Sequence, residues 1–226
     1  KLLTEAAPDI LCLQEIKCQN DQFPTEAIAA LGYSNIVIHG QKGYHGVAIC
    51  SKLPLTEDHR QDYCGVGDSR HISAVFEWAG RRIRLHNFYV PAGGDEPNRD
   101  VNPKFGHKLD FVEEMKALSA EAEPNTGSIL VGDLNIAPLE HDVWSHKQLL
   151  DVVSHTPSET EGLTAWLNAG FHDAVRECEP AVRAQFRGLP FDVEGFRAET
   201  GACEKHDGLR RKSERRHQSG KPAAHD

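Results

Sequence analysis

No run of apolar residues in this chain approaches the roughly 20 needed for a membrane-spanning helix, so no membrane partner is expected. The six cysteines (12, 18, 50, 64, 178 and 203) contain no CxxC pair and no zinc-ligand spacing. Cys12 and Cys50 fall inside apolar runs and read as small core residues, which points to a reducing, cytoplasmic setting. Thirteen histidines are present without an HExxH or other tight ligand pattern, and His141 and His146 are expected to be solvated. There is no internal repeat and no initiator Met, and no signal peptide is expected. The opening Lys1-Leu2-Leu3-Thr4-Glu5 reads as a fragment that begins within a helix.

A surplus of basic charge is also missing. The net charge of −9 argues against indiscriminate binding of nucleic acid, though not against an enzyme whose cations and local basic patch meet phosphates. The charge is uneven: residues 205–221 hold seven Lys/Arg against two Asp/Glu. Large apolar residues are scarce after Arg187, where only Leu189, Phe191, Val193, Phe196 and Leu209 occur. The basic run Arg210-Arg211-Lys212-Ser213-Glu214-Arg215-Arg216-His217 in that polar context reads as a disordered tail, with a nucleic-acid patch as the alternative.

The rest of the chain is patterned. Its 226 residues, 39% hydrophobic, suit one domain with a layered core. Strands are predicted over 9–14, 35–39 and 46–51, with a helix over roughly 24–31 and a Gly-rich loop from Gly40 to His45. Ile72, Ala74, Phe76 and Trp78 alternate with His71, Ser73, Val75 and Glu77, the period of a half-buried strand. After the Ala79-Gly80 turn, Ile83, Leu85, Asn87 and Tyr89 resume the alternation, which makes a hairpin. A helix is predicted from about Lys104 to Ala122, and a buried strand over Ser128 to Val131. Ser158-Glu159-Thr160-Glu161 reads as a capping box opening a helix to Asn168, closed by Gly170. Mixed strands, hairpins and intervening helices predict an α+β sandwich with sheets inside and helices outside.

The strand ending at Val131 exits through Gly132-Asp133-Leu134-Asn135-Ile136-Ala137-Pro138, which presents an acid and an amide at the end of a rigid element. Phosphoester hydrolysis uses such a pair, one group taking a proton from water and another orienting water or phosphate. Leu13-Gln14-Glu15-Ile16-Lys17 likewise ends an apolar run in a carboxylate. Tyr89 closes a third strand in His86-Asn87-Phe88-Tyr89-Val90-Pro91, where its hydroxyl can donate to a phosphoryl oxygen. If these strands run in the same direction, Glu15, Tyr89, Asp133 and Asn135 share one rim. A hard cation such as Mg²⁺ needs only one or two carboxylates there, and Glu15 is its natural first ligand.

The motifs LQEIK, SRHIS, NFYVPAGG, NPKF with HKLDF, and VGDLNIAP occur together in the order and spacing of one family. Over about residues 1–180 the chain resembles the exodeoxyribonuclease III / class II apurinic endonuclease family, of the endonuclease–exonuclease–phosphatase fold. The resemblance implies a DNase I-like four-layer α/β sandwich of two mixed sheets flanked by helices. It implies a base-excision DNA-repair hydrolase that cuts DNA 5′ to abasic sites and at duplex 3′ ends, as a monomer, with Mg²⁺ or alternatively Mn²⁺. Glu15 then matches the metal-binding Glu and Tyr89 the active-site Tyr. Asp133 matches the residue that activates water or protonates the leaving group, and Asn135 its partner in phosphate and metal binding. An abasic nucleotide has no stacking to lose, which lowers the cost of swinging it into a pocket. Arg70, in Asp68-Ser69-Arg70, is a candidate DNA contact or a brace of the site. A phosphatase of the same fold acting on small or lipid substrates is the alternative, as is a DNA-binding remnant without catalysis.

The chain departs from the family at both ends. An opening Trp-Asn-x-Asn strand, a tryptophan-rich segment near 185–195, a late Arg-x-Asp strand and a terminal Ser-Asp-His are all missing. Gly208-Leu209-Arg210-Arg211-Lys212 and Ala224-His225-Asp226 resemble the last two only superficially. The expectation is a domain over 1–182 lacking its N- and C-terminal strands, followed over 183–226 by an aberrant tail such as a frameshift would give. The polypeptide is expected to be inactive or nearly so.

Overall fold

The computed structural model describes residues 2–119 and 123–178. The boundary expected at residue 182 and the tail beyond it lie outside the described residues. A short helix α1 (Leu2–Glu5) leads into strand β1 (Ile10–Gln14), helix α2 (Thr25–Ala29) and strands β2 (Asn35–His39) and β3 (Val47–Ser51). Strand β4 (Thr56–His59) and the hairpin β5 (His71–Trp78) and β6 (Arg81–Tyr89) follow. Helix α3 (Pro103–Met115) then returns the chain to β7 (Thr126–Asp133). Beyond it come α4 (His146–Leu149), α5 (Pro157–Asn168) and α6 (Ala174–Cys178).

The strands form two sheets. One is antiparallel with order β1-β3-β2, and the other is mixed with order β4-β5-β6-β7. Between the sheets lie Val37, Val47 and Ile49 from the first, and Ile72, Ala74, Phe76, Ile83, Leu85 and Tyr89 from the second. Phe23, Tyr33, Ala48 and Cys50 build a smaller core on the outer face of the three-stranded sheet. On the far side Phe88 and Val90 pack against Phe111, Val112 and Met115 of α3 and Leu163, Trp166 and Leu167 of α5. The sequence thus folds into helices, sheet, sheet and helices, the four layers expected. Among the described residues no helix is long and apolar enough to cross a membrane.

Several expectations change. Strand β5 is buried on both faces over its first six residues rather than half-buried. Its second face, bearing His71 and Ser73, lies under the α3 side of the molecule, where His71 stacks on Phe88 at 4.3 Å between ring centroids. Helix α5 starts two residues earlier than predicted: Thr156 and Glu159 make the capping box, and Ser158 is already helical. Pro157 settles this choice because its missing N–H costs nothing at the first helical position. His146 is not simply solvated either, since its Nδ1 lies 2.8 Å from Nε2 of the buried His155.

Helix α3 begins at Pro103 behind Asn102, whose side chain accepts from the Lys104 N–H at 3.1 Å. It buries Phe105, Phe111, Val112 and Met115, as its periodicity requires, and it buries Lys108 with them. That lysine matters below.

Candidate functional site

Strands β6 and β7 run parallel, with Tyr89 and Asp133 as register partners at the ends of both. Opposite them, β1 of the other sheet stops at Gln14 because Glu15 turns left-handed, with φ 51°. A Glu there is uncommon, costing of order 1 kcal/mol or more, and such strain collects at functional sites. Lys17, Ser69 and Asn135 are also left-handed, with φ of 58°, 47° and 52°. The two sheets are joined at this rim by Asn87, fully buried on the apolar face of β6. Its amide donates to Leu13 O at 2.9 Å and Ala48 O at 3.0 Å, and accepts from Gln14 Nε2 at 2.6 Å.

Those ties bring together the residues singled out in the sequence. The Tyr89 hydroxyl donates to Glu15 Oε1, across the sheet interface. Glu15 Oε2 pairs with Lys17 Nζ at 3.0 Å. The hydrogen bond from Tyr89 and then the one from Lys17 hold the Glu15 carboxyl below the usual carboxylate range. Burial, followed by the hydrogen bond to the Glu15 carboxylate, pushes the Tyr89 phenol up to about 12. The pair is therefore a phenol donor and an ionised acceptor throughout the neutral range.

Asp133 Oδ1 accepts from the Asn135 N–H at 2.9 Å, which folds the chain back over the strand end. Asn135 Nδ2 donates to Val90 O at 2.8 Å, and its amide oxygen accepts from none of the described residues. The preceding Gly132 sits at φ 135°, and a Cβ there would lie 1.9 Å from Phe88 O. No other residue allows β7 to run this close to β6 next to the Tyr89–Asp133 pair.

Arg70 braces Tyr89 instead of projecting outward; its side chain is 11% exposed. The guanidinium carbon lies 4.8 Å from the Tyr89 ring centroid, and Nη1 donates to Tyr89 O at 3.2 Å. Its Nε pairs with Asp68, whose Oδ2 also lies 3.0 Å from His107 Nε2 on α3. Burial raises the Asp68 carboxyl, but the His107 and Arg70 bonds outweigh it and the group stays below its ordinary value. Asp68, Asn87, His107 and Lys108 were not singled out in the sequence. Asn87 had one available signal, a carboxamide within the apolar alternation of β6. Lys108 had another, three residues from both Phe105 and Phe111 on a helix.

The oxygen chemistry of Glu15, Asp133 and Asn135 fits a hydrated hard cation, which keeps most of its waters and needs few carboxylates. Among the described residues no group of three or more His, Cys, Asp or Glu is arranged as a closed metal cage. A cavity of about 380 Å³ lies elsewhere, lined by His59, His71, Arg84 and His86 among others, and contains none of the rim residues.

A two-sheet sandwich thus presents an acid, an amide and a tyrosine together at its joined strand ends. The chain belongs to the Endonuclease/Exonuclease/phosphatase family, whose profile matches residues 1–192. It is 32% identical over 184 residues to Recombination repair protein 1 of Drosophila melanogaster, covering 80% of this chain and 26% of that one. It is 28% identical over 204 residues to Exodeoxyribonuclease III of Haemophilus influenzae, covering 86% of this chain and 75% of that one. The solved structure of an AP endonuclease from Archaeoglobus fulgidus superposes with a TM-score of 0.69 at 31% identity, covering 79% of this chain and 66% of the other. The chain thus spans about a quarter of the Drosophila relative and two thirds of the archaeal structure.

Proposed function

We propose that this rim hydrolyses phosphodiesters of duplex DNA, 5′ to abasic sites and at 3′ ends, with a divalent cation, Mg²⁺ first. The observation that supports it most is the Tyr89–Glu15 hydrogen bond, between a phenol donor and an ionised carboxylate next to Asp133. Bound at Glu15 and the Asn135 amide oxygen, the cation would offset charge on the phosphoryl oxygens. Asp133 takes a proton from water, the water oxygen attacks phosphorus, and the bond to O3′ breaks, with O3′ taking a proton from solvent to leave as a hydroxyl. The Tyr89 hydroxyl exchanges its carboxylate acceptor for a phosphoryl oxygen as negative charge grows there. Arg70 holds the Tyr89 ring and adds positive charge behind it, which is the part it takes in DNA binding.

The test incubates the purified chain with abasic duplex DNA and Mg²⁺, with a phosphoinositide in parallel. Incision 5′ to the abasic site that disappears on chelation, with the phosphoinositide intact, is the result expected from the rim geometry, and it would overturn the inactivity expected from the missing terminal motifs. Phosphoinositide hydrolysis without incision favours the small-substrate alternative. Tight binding of abasic duplex without cleavage identifies a non-catalytic relative. Either result refutes the proposal.

A further inference from the structure

We propose that Lys108 is a positioning residue for this site, tying the Tyr89 loop to the Asp133–Asn135 turn through its ammonium group. The inference rests on the reading of the rim as the site of chemistry. Lys108 is 0% exposed, and its Nζ donates to Asn135 O at 2.6 Å and to Ala92 O at 3.2 Å, while pairing with Glu159 Oε1 at 2.5 Å. An ammonium has three donors, and these acceptors occupy them, with Ser154 Oγ a more distant fourth at 3.4 Å. Ala92 stands three residues after Tyr89, and Asn135 two after Asp133. One buried cation therefore ties together the two segments that leave the strand ends carrying the proton acceptor and the phenol. Gly93 leaves room for it, since a Cβ there would lie 2.9 Å from Lys108 Cδ.

A purely stabilising role explains less. Glu159, also 0% exposed, is already engaged by the Ser154 and Thr156 N–H groups at 2.9 and 3.1 Å and by the Thr156 hydroxyl. An apolar residue in place of a buried ion pair is often as stable or more so. The lysine is distinguished by its other acceptors: one carbonyl just beyond each of the two site strands, with Ser154 Oγ farther off at 3.4 Å. It also gives the HKLDF segment a task, with His107 held to Asp68 behind Tyr89 and Lys108 held to Asn135.

The experiment compares wild type, Glu159→Gln, and Lys108→Met combined with Glu159→Gln. Both variants abolish the ion pair, and only the second removes the ties to the carbonyls, because even a neutral lysine amine keeps two N–H donors. Lys108→Met alone is avoided, as it would strand the Glu159 charge in the core. Incision of abasic duplex with Mg²⁺ and backbone amide exchange are read on all three. Glu159→Gln is expected to stay within about threefold of wild type in kcat, and the double variant to fall by at least about tenfold with KM for DNA little changed. Exchange should rise at 90–94 and 133–137 in the double variant alone, with β5 and α5 protected as before. Equal behaviour of the two variants in both readouts overturns the proposal. If wild type itself fails to cut, the functional reading falls, and the exchange pattern alone decides the part played by Lys108.

Discussion

Replacing Gly132 by Ala tests the claim that the Tyr89–Asp133 pairing depends on one close approach between strands. The added methyl would start 1.9 Å from Phe88 O, where ordinary carbon–oxygen contact begins above 3 Å. β6 and β7 must therefore part by more than about 1 Å at that step, immediately before the two site residues. Forcing a non-glycine residue to φ 135° costs about 1–3 kcal/mol. The adjacent Val90 N–H to Asp133 O bond, 2.9 Å long, would weaken with it, adding about 1 kcal/mol. The sum, roughly 2–4 kcal/mol, corresponds to a melting temperature about 4–16 °C lower for a domain of this size. Function should suffer more, because a misplacement near 1 Å can cost about 100-fold in rate. Differential scanning calorimetry and a Mg²⁺-dependent incision assay measure the two effects. A Gly132→Ala protein that melts within about 2 °C of wild type and keeps its incision rate would show that the Gly132 conformation does not govern the site.

Further predictions concern protons. Tyr89→Phe removes the first cause of the low Glu15 pKa, so the Glu15 carboxyl should titrate nearer its ordinary value, as followed by NMR of the carboxyl carbon. Incision should drop roughly 100- to 1000-fold with it, and an unmoved carboxyl titration would refute the coupling. Burial, then the Arg84 charge, drives the buried His86 imidazole down to about 3, and burial with His86 beside it pushes His71 well below its usual range. Below pH 6.5 the unfolded chain takes up protons that the folded pair refuses, so stability is complete above that pH and falls as the solution is acidified. For His86 alone the loss between pH 7 and 5 is about 2 kcal/mol, and it is read as a lower urea midpoint at pH 5. Equal midpoints at the two pH values would contradict this burial.

The sandwich was largely legible because its strands announce themselves by period. Alternation through Ile83, Leu85, Asn87 and Tyr89 located β6, and the Ala79-Gly80 turn located its partner. β4 is not visible in the sequence, since Thr56-Glu57-Asp58-His59 is polar and exposed and becomes a strand only by pairing with β5. Helix α5 slipped by two residues because Thr156-x-x-Glu159 and Ser158-x-x-Glu161 fit the same capping pattern. At the rim, Glu15, Tyr89, Asp133 and Asn135 could be chosen as polar groups at strand ends. Their supports could not: helical spacing marks Lys108 for burial but not its partners, since Asp68 meets His107, and Lys108 meets Asn135 and Ser154, across 27 to 46 residues of sequence.

The rim also has a consequence for the order in which this chain matures. The bonds that close it, Gln14 to Asn87 and Glu15 to Tyr89, link residues 73 and 74 apart. Loop closure makes such contacts late arrivals in folding, after the local β5–β6 hairpin has formed. Glu15 and Tyr89 meet only when both sheets are in place, so a half-folded chain can carry every side chain of the rim and still have no site. The hydrogen bond between them is thus a reporter of completed assembly, and fluorescence or exchange probes at Tyr89 should be the last signals to reach their native values.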